Sequence, residues 1–332
     1  LGLVGSEMCI RDRYYIAFGM QGSMFHEFAH LLGTVDLYDV SYMTIGVGAW
    51  DLMGTGAWNM LGHVPCRLCA FHLEYLGIVK PKVITKDTVI WVKRLSLAPD
   101  IYKIPVNEKE YFLIENRCAY MPENLESANP DSNAFRVWKY GVLVDVNDWD
   151  VSLPCSVNTS GIAIWHIDTQ KVAVYDDSNM VNVGSPKGVD MEEADGVQDF
   201  ELPWYEISDW YAALEGTQWD LFYKGNTDSF SYYTNPSSAS NDGANSFVKM
   251  KFGEMGDSIK VEIKFEFVKS GFPVSNLGKV DINSPVPFDY DGDNLDEILL
   301  IANKDSIGTV SYTHLRAHET EADLVCRLLL EK

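Results

Sequence analysis

The chain has 332 residues, 46% of them hydrophobic, with 48 acidic against 26 basic side chains and a formal net charge of −22. That length and apolar content are enough for a sizeable core, which excludes a disordered chain. The acidic balance excludes a nucleic-acid binder, because phosphate contacts need clustered Lys and Arg. No apolar run approaches the roughly 18 residues that a membrane span requires.

Residues 1–13 and 309–332 look like translated sequencing-adapter sequence and are set aside from fold reasoning. Tyr14 to Met24 then leads directly into M-F-H-E-F-A-H-L-L-G-T-V-D-L-Y-D, Met24 to Asp39. On a helix, His26 and His30 stand one above the other, so two imidazoles can converge on one cation. Gly33 follows where a sharply ending helix uses positive φ, and the turn brings Asp36 back toward the same point. Three protein ligands, His26, His30 and Asp36, leave one position for water, the arrangement of catalytic rather than structural zinc. Glu27 is placed to take that water's proton without being a ligand, and the water then attacks a carbonyl polarised by zinc. A chance H-E-x-x-H on an amphipathic helix is the bland alternative, and Gly33 and Asp36 in register argue against it. Asp39, also acidic and close by, stays open as third ligand in place of Asp36.

Together with G-A-W-D-L-M-G-T-G-A-W at Gly48 to Trp58, this run resembles the immune-inhibitor-A-like metallopeptidases, the M6 family of metzincin-type zinc proteases. The resemblance implies an H-E-x-x-H-x-x-G-x-x-D zinc site followed by a methionine turn, with Met53 as a packed floor beneath the metal. It also implies a secreted endopeptidase acting on protein and peptide substrates. An N-terminal subdomain lining the cleft is part of that family picture, so a chain that enters the zinc helix this early is expected to be an inactive fragment. Read from the residues alone, W-D-L-M-G-T-G is a Gly-rich tight turn with buried Trp50 and Met53.

Further on, Pro65 to Leu76 reads as an amphipathic helix carrying Leu68, Phe71 and Tyr75 on one side and stopping at Gly77. His63 and His72 are the nearest other histidines to the motif and are expected to be partly exposed. Cys66 and Cys69 form a lone C-x-x-C, read as packed or disulfide-bonded, while Cys118 and Cys155 can pair if the protein is secreted. Alternating runs at 89–92, 101–106, 110–117, 161–168, 246–250 and 259–267 read as strands of an antiparallel sandwich. Several of these resemble segments of the same family, as do 188–196 and 234–238. Glu115, Arg117, His166 and Asp168 are expected as ion pairs or loop anchors at strand ends. The run Asp190, Glu192, Glu193 and Asp195 is either a calcium site or a solvated acidic loop.

After a linker at 271–277 comes D-Y-D-G-D-N-L-D-E-I-L-L-I. Asp289, Asp291, Asp293, the Leu295 carbonyl and Glu297 fall at positions 1, 3, 5, 7 and 9 of a calcium loop. A strand rather than a helix is expected to follow, so the segment resembles an FG-GAP or VCBS repeat, a propeller-type calcium loop, of which one copy is present. The expected fold is therefore α+β: the C-terminal part of a metzincin-like zinc protease domain over 14–80, an all-β region over 81–268, and the calcium repeat over 269–308. Zinc is the catalytic ion and calcium the structural one. The rival to a zinc endopeptidase is a catalytically inactive protease-derived scaffold in an extracellular adhesion or binding protein.

Overall fold

The computed structural model describes residues 20–62, 65–95, 97–118, 138–139, 142–143, 160–203, 206, 216–266, 286–288, 297–302 and 306–310. The chain divides into two compact units, Leu1–Phe265 and Glu266–Lys332.

The first unit begins with helix α1, Met20–Leu32, a stretch without proline or β-branched residues. Gly22 within it permits a close approach, because a Cβ there would stand 1.9 Å from the Ala57 carbonyl oxygen of the 3-10 turn Thr55–Gly62. Gly33 ends the helix at φ +103°, with its N–H donating to the His30 carbonyl at 2.9 Å. Ala29 is buried, whereas Phe25, Phe28 and Leu32 on the same helix are more than half exposed. Helix α2 spans only Ala70–Tyr75, shorter than the expected 65–76. The reason is that its N-terminal neighbours are extended, with the Cys66 N–H given to the Gly56 carbonyl at 2.8 Å and the Cys69 N–H to the Asp51 carboxylate.

A five-stranded sheet runs in the order β1-β3-β4-β7-β8, with β1 Lys82–Val83, β3 Tyr102–Pro105, β4 Glu110–Cys118, β7 Ser160–Asp168 and β8 Val189–Met191. Its pairs are antiparallel except β1 with β3, which is parallel. A second sheet runs β2-β11-β10-β9, with β2 Thr88–Lys93, β9 Ser229–Phe230, β10 Val248–Phe252 and β11 Ser258–Phe265, and β5 Trp138–Lys139 pairs antiparallel with β6 Val142–Leu143 on its own. Along β11, Ile259, Val261 and Ile263 are buried while the alternating charged residues face outward, the period-2 signature of a half-buried strand.

Strands β4 and β7 are buried on both faces, which is why their central runs, Tyr111–Ile114 and Ile162–Trp165, are continuously apolar. Phe112, Ile114, Ile162 and Ile164 pack with the second sheet in one apolar cluster. Leu113, Ala163, Trp165 and Ile167 face the other way, into a cluster that also holds Ala29, Leu37, Trp50, Met53 and Phe71. The sandwich expected over 81–268 is thus a pair of sheets with a third layer of helix and turns, from residues before 80, on its outer face. Among the described residues no sheet closes into a barrel.

The second unit holds an antiparallel three-stranded sheet, β12 Val286–Phe288, β13 Glu297–Ala302 and β14 Ser306–Val310. Phe288 partners Glu297 across the β12–β13 pair, so a strand does follow the acidic loop. Asp289, Asp291, Asp293 and Leu295 lie outside the described residues, as do His63, Cys155, the linker and residues 1–13 and 311–332, while β14 takes in the first two residues of the adapter-like stretch at 309–332.

Candidate metal centre

Helix α1 sets the two imidazoles side by side, with ring centroids 4.8 Å apart and the planes perpendicular. Each ring is oriented from behind by a backbone carbonyl. His26 Nδ1 lies 3.1 Å from the Leu52 oxygen and His30 Nδ1 lies 3.0 Å from the Thr34 oxygen. A carbonyl only accepts, so each Nδ1 carries the proton and each Nε2 is left with a lone pair, the tautomer that metal-binding histidines adopt.

Both lone pairs converge on Asp36, which is 3% exposed. Its Oδ1 stands 3.2 Å from His26 Nε2 and 3.3 Å from His30 Nε2, and this buried oxygen has no hydrogen-bond partner. Ligands held about 2.0–2.1 Å from a tetrahedral zinc ion are separated from each other by about 3.3 Å. The spacing therefore fits the edge of such a tetrahedron, and three electron-rich atoms facing one another call for a cation between them. Burial of His26 works against its charge, but Asp36 and the Leu52 carbonyl outweigh that and raise its pKa. Burial likewise pushes the Asp36 carboxyl up, while His26 and Asn179 hold it below the usual carboxylate range. Tyr38 stacks on His26 at 6.4 Å between centroids, and its own burial beside Asp36 pushes its hydroxyl up to about 12.

Glu27, the residue after His26 on helix α1, is exposed. It lines a shallow depression with Met20, Ser23, Met24, Phe28 and Leu31. Met53 is fully buried in the cluster that also takes Ala29 and Leu37, and its carbonyl accepts the Leu37 N–H at 2.8 Å. The turn around Met53 thus orients His26 through the Leu52 carbonyl and braces the segment that delivers Asp36.

Asp39, the alternative third ligand, is occupied elsewhere. Its two oxygens accept from the Ser41 N–H and hydroxyl and from the Thr44 N–H and hydroxyl, at 2.5–3.1 Å. Asp36 is the carboxylate at the histidines, and Asp39 shapes the loop after it.

A second group, Asp51, Cys69 and His72, also has ligand-type atoms within 4.8 Å of one another. Spacing alone would let it hold an ion, but its chemistry is that of a hydrogen-bond hub. Asp51 accepts from the Met53 N–H at 2.6 Å, from the Cys69 N–H at 2.5 Å, and pairs with His72 Nδ1 at 3.0 Å. Burial, with Asp51 and Glu115 nearby, pushes the Cys69 thiol well up. His72 is therefore fully buried rather than partly exposed, and Cys66 and Cys69 are buried thiols.

Glu115 and Arg117 behave as the expected structural ions, although they sit within β4 and are buried. Glu115 pairs with Arg67 at 2.8 Å and accepts from Trp165 Nε1 at 3.0 Å. Arg117 reaches the Trp50 carbonyl at 2.9 Å and the Cys66 sulfur at 3.2 Å. Asp168 caps helix α3, Thr169–Tyr175, through the Gln170 and Lys171 N–H groups. The acidic run that begins on β8 and continues past its end is neither a calcium cage nor a solvated loop. Asp190 pairs with buried Lys187 at 2.8 Å, Glu192 with His166 at 3.2 Å, and Glu193 accepts the Asp199 and Phe200 N–H groups. Only Asp195 is exposed.

Comparison of the chain with protein families, with characterised proteins and with solved structures finds no match in any of the three.

Proposed function

We propose that the chain is the zinc-binding part of a secreted metalloendopeptidase. The observation that carries this reading is the convergence of His26 Nε2, His30 Nε2 and the orphaned Asp36 Oδ1 at tetrahedral-edge spacing, one residue from a free-standing glutamate. Zinc, when bound, supplies an acidified water and polarises the scissile carbonyl. His26, His30 and Asp36 are the side chains that would hold the ion. Glu27 accepts the water proton and returns it to the amine as the C–N bond breaks, so hydrolysis needs no covalent enzyme intermediate. The apolar depression beside Glu27 would take side chains of a peptide substrate. Calcium at Asp289, Asp291, Asp293, Leu295 and Glu297 would rigidify the hairpin that these residues bridge.

The test is zinc content by elemental analysis together with casein hydrolysis, on the chain extended upstream from its parent gene and on its Glu27→Gln variant. One zinc in each, with proteolysis lost in the variant, supports the reading. Stoichiometric zinc without hydrolysis in either points to the scaffold rival, and absence of zinc refutes the metal centre itself.

A further inference from the structure

Asp36 is buried, yet its two oxygens have opposite fates. Oδ1 faces the histidines with no hydrogen bond. Oδ2 accepts a hydrogen bond from the Asn179 side-chain amide, a residue 143 positions away in the chain. The same amide also accepts the Asp36 backbone N–H through its oxygen, at 2.6 Å. One side chain therefore grips both the peptide and the carboxylate of a single aspartate.

The orientation of that amide is dictated at both ends. Its oxygen must face the peptide N–H and its NH2 must face the carboxylate, since flipping it would set donor against donor and acceptor against acceptor. Asn179 adopts φ +56°, a left-handed conformation that Asn tolerates better than most residues. The loop that presents it is itself pinned. Asn182 donates to the Leu37 and Val189 carbonyls at 2.9 and 2.8 Å and accepts the Val189 N–H at 2.9 Å. Lys171, on helix α3, donates to the Val183 carbonyl at 2.9 Å, to that of Gly184 at 3.2 Å, and to that of Pro186.

We propose that Asn179 is the positioning residue of the metal centre: its amide holds Asp36 so that only Oδ1 is offered to the ion. The proposal rests on the metal reading above and deepens it. With Oδ2 tied back, the carboxylate cannot rotate to bind through both oxygens, and the fourth coordination position stays open. Groups that orient a ligand from behind typically contribute 10–100-fold to metal affinity.

Two variants of the full chain separate this role from a merely structural one. Asn179→Gly removes the amide while keeping a residue that accepts positive φ. Asn179→Asp keeps the shape and the acceptor for the Asp36 N–H but sets carboxylate against carboxylate. Zinc affinity is read by competition with a chromophoric chelator, and ligand geometry by the visible spectrum of the cobalt-loaded chain. Both variants are expected to lose about 10–100-fold in zinc affinity and to show shifted cobalt bands, with Asn179→Asp losing at least as much as Asn179→Gly. If Asn179→Gly does not fold, the isosteric Asn179→Asp carries the test. Wild-type zinc binding with variant affinities within about threefold and an unchanged cobalt spectrum overturns the inference alone. A wild-type chain that binds no zinc overturns the metal reading and the inference with it.

Discussion

His166 is held between two carboxylates in the interior, with Nε2 2.9 Å from Glu110 and Nδ1 3.2 Å from Glu192. Burial opposes its charge, but the two acids more than compensate and lift its pKa from 6.5 to about 10. Over about pH 7.5–9.5 His166 therefore binds one proton more in the folded than in the unfolded chain, and its own contribution to stability falls as pH rises, by about 1.4 kcal/mol per unit. The contribution is complete below pH 6.5 and gone once pH passes through about 10. Its ceiling over the whole range is about 5 kcal/mol at 1.36 kcal/mol per unit, close to the 3–5 kcal/mol typical of unpairing a buried ion. All nine tryptophans lie within Leu1–Phe265, so urea unfolding followed by tryptophan fluorescence reports that unit alone. The wild-type stability should fall with pH more steeply than that of His166→Gln by this amount, and the variant should be about 3–5 kcal/mol less stable at neutral pH. Equal slopes in the two proteins would refute the assignment of a buried imidazolium.

Asp39→Asn turns one acceptor oxygen into a donor facing Thr44 or Ser41. It should cost about 1–3 kcal/mol in urea unfolding while leaving zinc stoichiometry intact, whereas Asp36→Ala should abolish stoichiometric zinc. Glu115→Ala leaves Arg117 and Arg67 without their carboxylate, and a loss of about 3–5 kcal/mol is expected; a change under about 1 kcal/mol would show the pair to be idle. Free zinc at about 100 times its dissociation constant should raise unfolding stability by about 2.7 kcal/mol over the chelator-treated chain. Calorimetry with and without chelator checks this, and an unmoved transition would argue against an ion bound to the folded state.

Much of the candidate site could be read in the sequence because it is local. His26 and His30 are related by the helical repeat alone, and Gly33 marks the helix end by the conformation that only glycine adopts at low cost. The strands on either side of β11 were equally legible, since a half-buried strand prints alternation into its residues. Propensity alone extends helix α2 back to 65, because it does not reveal that the Cys66 and Cys69 N–H groups go to the Gly56 carbonyl and to Asp51. The acidic run at 190–195 escapes sequence reading for a similar reason: charge density says nothing of His166 on the neighbouring strand, or of Lys187 folding back onto Asp190 three residues later.

What the sequence by itself determined is the chemistry on offer: two histidines and a glutamate at helical spacing, a glycine that ends the helix, and two candidate aspartates beyond it. Tertiary structure decided between those aspartates, since Asp39 spends its oxygens on its own loop while Asp36 is turned inward by Asn179. It also decided what stands behind each histidine, the Leu52 and Thr34 carbonyls, and which layer the centre rests on. Hydrogen bonds between residues more than a hundred positions apart leave no periodicity to read, because their spacing is set by packing and not by the repeat of any helix or strand.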